Sequence, residues 1–235
     1  MSDGRNIIQL PKGFLLGSET ASTVSSRGVY KFPVEWSNRK TWADGQCNGY
    51  DTEWCSWSNL PEEDFIAMED APYTIGQFVW TGFDYLGEPT PYDGYWPSRS
   101  SYFGIVDLAG FPKDRYYLYK SRWMPDTPMV HILPHWNFPD KIGETIPVFV
   151  YSSGDVVELF LNGKSLGKKE KRPYEYRFRW DSVKYEPGEL KAIAYKQNRK
   201  WAETYVRTTG KAVGLKAVPD KHRIKADGED LVFVT

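Results

Sequence analysis

The first half of the chain contains two short apolar runs separated by a polar segment. Residues 14–16 are three large apolar side chains followed by small residues and Glu19, a pattern typical of a buried parallel strand. Residues 61–71 begin with Pro and three acidic residues and precede a second Pro, which favours a helix. Residues 73–80 are the second apolar run, which ends at Trp80. Strand, helix and strand in this order predict a βαβ unit with a parallel sheet.

The second half changes from helical to alternating periodicity at Met129. Before this point, a segment after Pro112 carries a stripe of Tyr and Trp side chains and favours a helix that ends at Pro125. Beyond it, several short alternating runs separated by turns predict an antiparallel β-sandwich. Asn162 and Gly163 form the dipeptide that a two-residue type I′ hairpin requires. The alternating runs are residues 130–133, 146–151, 156–161, 174–180, 190–196 and 201–208.

Two long segments between these elements are rich in aromatic and polar residues and lack a sustained period. The first is residues 23–59, with four Trp, and the second is residues 86–102. Loops of this length inside a compact domain are usually functional or disordered. The aromatic content of the first segment argues against disorder. We therefore expect residues 23–59 to be an ordered loop that forms the wall of a site.

Composition narrows the classes of function. The 235 residues carry a formal net charge of -1 and lack the basic block or stripe that a nucleic-acid partner requires. No apolar run approaches the length of a membrane span. We therefore expect neither a nucleic-acid partner nor a membrane span. Aromatic residues make up 16% of the chain, and their faces suit sugar rings as well as protein cores.

The two cysteines, Cys47 and Cys55, lie close together in the first long loop. Their spacing does not fit a metal-binding knuckle and the three His residues are far away in the sequence, so we expect neither a metal nor a cofactor. A local disulfide would form in an oxidising compartment. Two free thiols are equally compatible with the spacing.

Three segments resemble, in order, the C-terminal part of the catalytic barrel in glycoside hydrolase family 2, in its β-galactosidase-like branch. They are residues 17–22 (GSETAS), 50–58 (YDTEWCSWS) and 76–90 (GQFVWTGFDYLGEPT). Residues 103–123 resemble the last turn and helix of that barrel. Residues 128–210 resemble the immunoglobulin-like domain that follows it. Each motif is weak by itself, but three in the same order make the resemblance specific.

The resemblance implies a multi-domain fold of the α/β and β classes. The C-terminal portion of a TIM (β/α)8 barrel, with its strands seven and eight, would be followed by an immunoglobulin-like β-sandwich. The expected domains are residues 1–124 for the barrel portion, 125–210 for the sandwich, and 211–235 for the truncated start of a further β domain. The truncation is expected because the apolar strand at residues 231–234 would have no partner. A whole barrel needs about 250 residues, so we expect the chain to be a fragment.

The same resemblance implies roles for individual residues. Glu19 matches the nucleophile at the end of barrel strand seven, and Trp80 matches the Trp that forms the floor of the sugar subsite. Asp84 and Glu88 are candidates for contacts with sugar hydroxyls, and Asp51 is a weaker substrate-binding candidate. Retaining glycosidases also need an acid/base carboxyl group. No Glu in this sequence follows an Asn, as the family's acid/base does, so the chain alone is expected to be inactive.

The expected activity is therefore retaining hydrolysis of β-galactosides. The expected partners are a β-galactoside or oligosaccharide substrate and the missing N-terminal domains of the same enzyme. One alternative is a non-catalytic carbohydrate-binding or structural module on the β-sandwich, whose exposed aromatic residues would form a binding strip. Another is a sister activity such as β-glucuronidase or β-mannosidase. A glucuronidase needs a cation for the sugar carboxylate, and no Lys or Arg stands out near Trp80 in the sequence.

Overall fold

A computed structural model describes residues 13–38 and 40–234 of the chain. Within these residues the structure is mostly β, with two α-helices, neither long and apolar enough to cross a membrane. The elements in chain order are β1 (Leu15–Thr20), β2 (Thr23–Val24), β3 (Ser37–Asn38), β4 (Glu53–Trp54), α1 (Pro61–Asp70), β5 (Thr74–Val79), α2 (Asp114–Trp123), β6 (Val130–Leu133), a 3-10 turn (Pro139–Lys141), β7 (Thr145–Ser152), β8 (Val156–Leu161), β9 (Lys164–Glu170), β10 (Phe178–Lys184), β11 (Glu189–Lys196) and β12 (Arg199–Arg207).

The strands β1 and β5 form a two-stranded parallel sheet, with α1 between them in the sequence, as the predicted βαβ unit requires. The first turn of α1 carries Pro and three carboxylates at the positive end of the helix dipole. The expectation that residues 14–16 are buried is wrong. Phe14 and Phe78 are 67% and 65% exposed, and Leu16 and Ile75 are exposed as well. The reason is that the described residues supply only two strands to this sheet, so most of its apolar side chains have no layer packed over them.

The first long loop is folded around a small three-stranded sheet with the strand order β2-β4-β3. Cys47 and Cys55 are both buried there and do not form a disulfide, and burial raises the pKa of Cys47 well above its usual value. Both cysteines belong to the same apolar cluster as Tyr92 and Tyr102. The two long loops therefore pack against each other.

Residues 130–207 form a β-sandwich of two antiparallel sheets, in agreement with the predicted antiparallel β-sandwich. The strand orders are β10-β7-β6 and β12-β11-β8-β9. Side chains from both sheets, such as Val148 and Leu159, meet in one core. Between β8 and β9, Asn162 and Gly163 have φ values of 49° and 80°, as a type I′ turn requires.

The helix α2 lies at the junction between the sandwich and the preceding part of the chain. Leu118 and Tyr119 of α2 share a buried cluster with Leu133 of β6, Phe149 of β7 and Phe65 of α1. The rings of Phe65 and Tyr119 meet edge to face, with centroids 5.5 Å apart. The first two predicted domains therefore share buried apolar surface.

The segment after the sandwich, residues 211–234, is largely exposed. Its end folds back on its start: Pro219 and Val234 form an antiparallel bridge, and the backbone N–H of Asp220 donates to the carbonyl oxygen of Phe233. The expectation of an unpaired strand at residues 231–234 is therefore wrong at its C-terminal end. The partner lies about a dozen residues upstream in a segment without strand periodicity, which the sequence pattern does not reveal.

Candidate active site

The C-terminal ends of β1 and β5 bring Glu19 and Trp80 to one edge of the parallel sheet. Thr20 lies opposite Val79 in the strand register, and the backbone N–H of Trp80 donates to the carbonyl oxygen of Thr20 at 2.8 Å. The side chain of Glu19 is exposed. The carboxyl ends of parallel strands are where α/β proteins hold their reactive groups. This edge thus presents a solvent-accessible carboxylate on one strand and a large aromatic ring at the end of the other.

The indole of Trp80 is held by Tyr85. Its Nε1–H donates to the Tyr85 hydroxyl at 3.2 Å, and the two rings meet edge to face, with centroids 5.9 Å apart. Trp80 remains 37% exposed. A partly exposed indole can pack its apolar face against the C–H groups of a sugar ring.

Glu88 is exposed and accepts a hydrogen bond from the Tyr85 hydroxyl. Burial, together with the Glu88 carboxylate, raises the pKa of Tyr85 to about 12. The phenol is therefore protonated at neutral pH and acts as the donor to Glu88. A carboxylate can accept several hydrogen bonds, so Glu88 retains acceptor capacity toward solvent.

Asp84, in contrast, is committed to contacts within the protein. Its Oδ2 lies 2.6 Å from Nζ of Lys113, and both side chains are buried. Its Oδ1 accepts hydrogen bonds from the backbone N–H of Gly104 at 2.7 Å and from the Ser101 hydroxyl at 3.3 Å. Asp84 thus ties the loop after Trp80 to the following segments, and of the two predicted hydroxyl-contacting carboxylates only Glu88 is open.

Two buried cations at the start of α2 connect the loops that follow the two strands. Lys113 donates to the carbonyl oxygens of Ser25 at 2.8 Å and Tyr102 at 3.1 Å. Arg115 donates to the carbonyl oxygens of Thr23, Phe103 and Gly104. Burial lowers the pKa of Lys113, although Asp84 opposes this effect. These cations hold the loop after Glu19 against the loop after Trp80.

The structure does not bring Asp51 to the exposed edge. Asp51 is completely buried, and neither of its carboxylate oxygens has a hydrogen-bond partner among the described residues. Burial raises the pKa of Asp51 to about 6, against the opposing effect of the nearby Arg115 and Arg177. As a substrate-binding residue Asp51 would need access to solvent, which this packing does not provide because the side chain is completely buried.

We expect Asp51→Asn to change how the stability of the chain depends on pH. The folded-state pKa of Asp51, about 6, lies above its ordinary value of 3.8. Between these pH values the folded state therefore binds more protons than the unfolded state. The contribution of Asp51 to the free energy of unfolding is lost as the pH rises through 6. Asn is neutral at every pH and accepts the positive φ of 55° at this position. The variant should match the parent near pH 4 and exceed its unfolding free energy by about 2–3 kcal/mol at pH 7.5. Urea unfolding of both proteins at the two pH values measures this difference, and parallel pH profiles would contradict the expectation.

Comparison with known proteins identifies the relatives of this chain. A family model described as "Domain of unknown function (DUF4982)" matches residues 143–202. The chain is 45% identical over 233 residues to "Beta-galactosidase BoGH2A" of Bacteroides ovatus, which covers 95% of this chain and 27% of that protein. It is 43% identical over 166 residues to a "Putative beta-glucuronidase" of Formosa agariphila, which covers 69% of this chain and 15% of that protein.

Solved structures agree with these similarities. A β-glycosidase from Bacteroides vulgatus superposes with a TM-score of 0.75 at 31% identity, over 93% of this chain and 30% of that one. A glycosyl hydrolase family 2 member from Bacteroides cellulosilyticus gives a TM-score of 0.65 at 31% identity, over 74% of this chain and 26% of that one. The chain belongs to glycoside hydrolase family 2. The predicted resemblance to the β-galactosidase-like branch of family 2 is confirmed by the same similarities.

The family 2 relatives are much longer than this chain. The chain spans about a quarter of the Bacteroides ovatus protein and less of the Formosa agariphila protein. The described residues contain no group of three or more His, Cys, Asp or Glu side chains that could hold a metal ion.

The sequence motifs do not reveal several of the residues that surround the C-terminal ends of β1 and β5. Tyr85 lies within a recognised motif, but nothing in the sequence distinguishes it from the neighbouring aromatic residues. Lys113 and Arg115 do leave a signal: two cations at a helix N-terminus oppose the helix dipole, so they need another reason to be there. In the structure that reason is the set of buried carbonyl oxygens from two loops.

Proposed function

We propose that this chain is part of a retaining family 2 β-galactosidase, with Glu19 as the catalytic nucleophile. The observation that carries the proposal is the parallel pairing of β1 and β5, which presents an exposed carboxylate and the Trp80 indole at one edge. In a retaining mechanism the nucleophile attacks the anomeric carbon and forms a covalent glycosyl-enzyme. A second carboxyl group, supplied by another part of the enzyme, protonates the leaving group and then activates water.

The exposed apolar side chains of β1 and β5 support the assignment of these strands to an incomplete barrel. Phe14, Leu16, Ile75 and Phe78 are all exposed, whereas the strands of a closed barrel bury such side chains on both faces. We assign residues 1–124 to the barrel portion with strands seven and eight. Residues 125–210 form the immunoglobulin-like domain, and residues 211–235 begin a further β domain. The acid/base would come from the earlier strands of the barrel.

Charges near Trp80 favour a neutral sugar over a uronic acid. The first two charged side chains that follow Trp80 in the sequence, Asp84 and Glu88, are acidic, and the nearby Lys113 is paired with Asp84. An acidic sugar would bring its carboxylate toward the exposed Glu88, and the two like charges would repel each other. This supports β-galactosidase over β-glucuronidase, although Formosa agariphila relatives carry the second name.

The sandwich offers less support for a separate carbohydrate-binding module. A sugar-binding strip needs open aromatic faces. On the four-stranded sheet, the guanidinium of Arg207 lies 4.1 Å from the centroid of the exposed Tyr205 ring, and Nζ of Lys168 lies 4.8 Å from that of Tyr195. These cations occupy ring faces that a sugar would need.

A panel of aryl β-glycosides tests the proposal. The full-length protein that contains this chain should hydrolyse the β-galactoside faster than the matched glucuronide and mannoside, and the first sugar product should keep the β configuration. The isolated 235-residue chain should show no measurable turnover, because it supplies one carboxylate of the pair. Preference for the glucuronide, inversion of configuration, or clear turnover by the isolated chain would each contradict part of the proposal.

A further inference from the structure

We infer that Tyr85 is a positioning residue of the sugar subsite. Its hydroxyl group sets the plane of the Trp80 indole and orients the Glu88 carboxylate toward a hydroxyl of a neutral sugar. The inference rests on the proposed function, because it concerns the same site. It adds a residue to which the family motifs assign no role.

The direction of the hydrogen bonds from Trp80 to Glu88 is determined by their chemistry. An indole N–H can only donate, so the Tyr85 oxygen accepts from Nε1 of Trp80 at 3.2 Å. The single phenolic proton then goes to the Glu88 carboxylate. An ionised carboxylate only accepts, so neither of the two hydrogen bonds can reverse its direction. One hydroxyl group therefore holds both an aromatic platform and an acidic side chain.

The backbone around Tyr85 is anchored independently of its hydroxyl group. The backbone N–H of Tyr85 donates to the Ser101 hydroxyl at 3.1 Å, and the backbone N–H of Ser101 donates to the carbonyl oxygen of Tyr85 at 2.8 Å. The backbone N–H of Gly87 donates to the carbonyl oxygen of Arg99 at 2.7 Å. Removal of the hydroxyl group should therefore release Trp80 and Glu88 and leave the loop in place.

The arrangement selects for a particular kind of ligand. The edge-to-face contact with Tyr85 leaves Trp80 partly exposed, and a sugar ring would pack on the indole face. Glu88 has accepted one hydrogen bond from Tyr85 and can accept more on its exposed side. A sugar hydroxyl is a suitable donor, whereas the carboxylate of a uronic acid is not. Tyr85 would thus fix the distance between the stacking surface and the acceptor.

The test uses Tyr85→Phe in the full-length protein with an aryl β-galactoside as substrate. Loss of one net hydrogen bond should raise KM about tenfold. The value of kcat should change less than about threefold, because stacking and the Glu88 contact act on the bound substrate as well as on the transition state. Tyr95→Phe is the matched control, since Tyr95 lies ten positions further along the chain and its hydroxyl donates to the carbonyl oxygen of Ala43 at 2.9 Å. Its KM should equal that of the parent.

A second comparison separates positioning from general support of the loop. If Tyr85 acts through the indole, most of the KM effect of Tyr85→Phe should disappear when Trp80 is replaced by Leu, because residues that act together are not additive. A full tenfold effect in both backgrounds would overturn the inference, as would an unchanged KM in Tyr85→Phe. If the parent is active and Glu19→Gln is not, the proposed function is supported whether or not Tyr85→Phe changes KM. An inactive parent would overturn both.

Discussion

Glu19→Gln in the full-length protein is expected to lower kcat/KM for an aryl β-galactoside at least about a thousandfold. The amide has nearly the same shape as the carboxylate but cannot form the covalent glycosyl-enzyme that a retaining mechanism requires. Because the side chain of Glu19 is exposed at a strand end, the substitution should leave the fold intact. Steady-state kinetics measure the loss, and the thermal unfolding midpoint should stay that of the parent.

Two controls make the Glu19 experiment specific to the nucleophile. Glu175→Gln neutralises another exposed carboxylate, 3.9 Å from Arg172 in the sandwich, and should leave turnover unchanged. Glu19→Ala with added azide should form a glycosyl azide of the opposite anomeric configuration, because the small anion attacks from the face that the carboxylate has vacated. Full activity in Glu19→Gln would contradict the assignment. A loss without any azide product in the alanine variant would indicate a binding role instead.

Arg177→Met is expected to lower the unfolding free energy of the 235-residue chain by about 3–5 kcal/mol. The buried Arg177 guanidinium pairs with Glu62 of α1 and donates to the carbonyl oxygens of Tyr50 at 2.5 Å and Asp51 at 2.9 Å. Removal of this one side chain would leave a partly buried carboxylate and two buried carbonyl groups without their partner. Such unsatisfied groups cost more than the lost bonds themselves. Urea unfolding of the isolated chain measures the effect.

Arg179→Met is the matched control for Arg177, two residues further along the chain. Arg179 is 41% exposed and pairs with the exposed Asp181 at 2.8 Å, so its loss should cost about 1 kcal/mol or less. Glu62→Gln combined with Arg177→Met should cost less than the sum of the two single changes, because the double variant leaves no uncompensated charge. Equal costs for the two arginines would show that the junction does not depend on this buried pair.

Local patterns predicted the secondary structure well, because local interactions determine it. The apolar runs and the acidic first turn of α1 are enough to predict the βαβ unit, and the Asn162–Gly163 dipeptide predicts the β8–β9 turn. Burial was predicted less well. The run at residues 14–16 has the composition of a buried strand but is exposed, since burial depends on the layers that the rest of a fold supplies.

The candidate site was only partly accessible to sequence reasoning. The family motifs led to Glu19 and Trp80, and their adjacency follows from parallel pairing. The motifs gave equal standing to Asp84 and Glu88, but the structure separates them: Asp84 is paired with Lys113 and Glu88 is exposed. Which carboxylate is paired depends on a lysine 29 positions along the chain, and no periodicity or motif encodes such a contact.

From the sequence alone came the family, the order of its elements and the strand ends at which chemistry is expected. These follow from residue patterns that span a few positions and from motifs in a recognisable order. The tertiary structure alone decided which polar side chains are buried and which are open. It closed Asp51 into the interior, joined α1 to the sandwich through Arg177, and linked Trp80 to Glu88 through Tyr85. The physical reason is that desolvation and pairing of charges depend on every segment packed around a group, and those segments lie far apart in the chain.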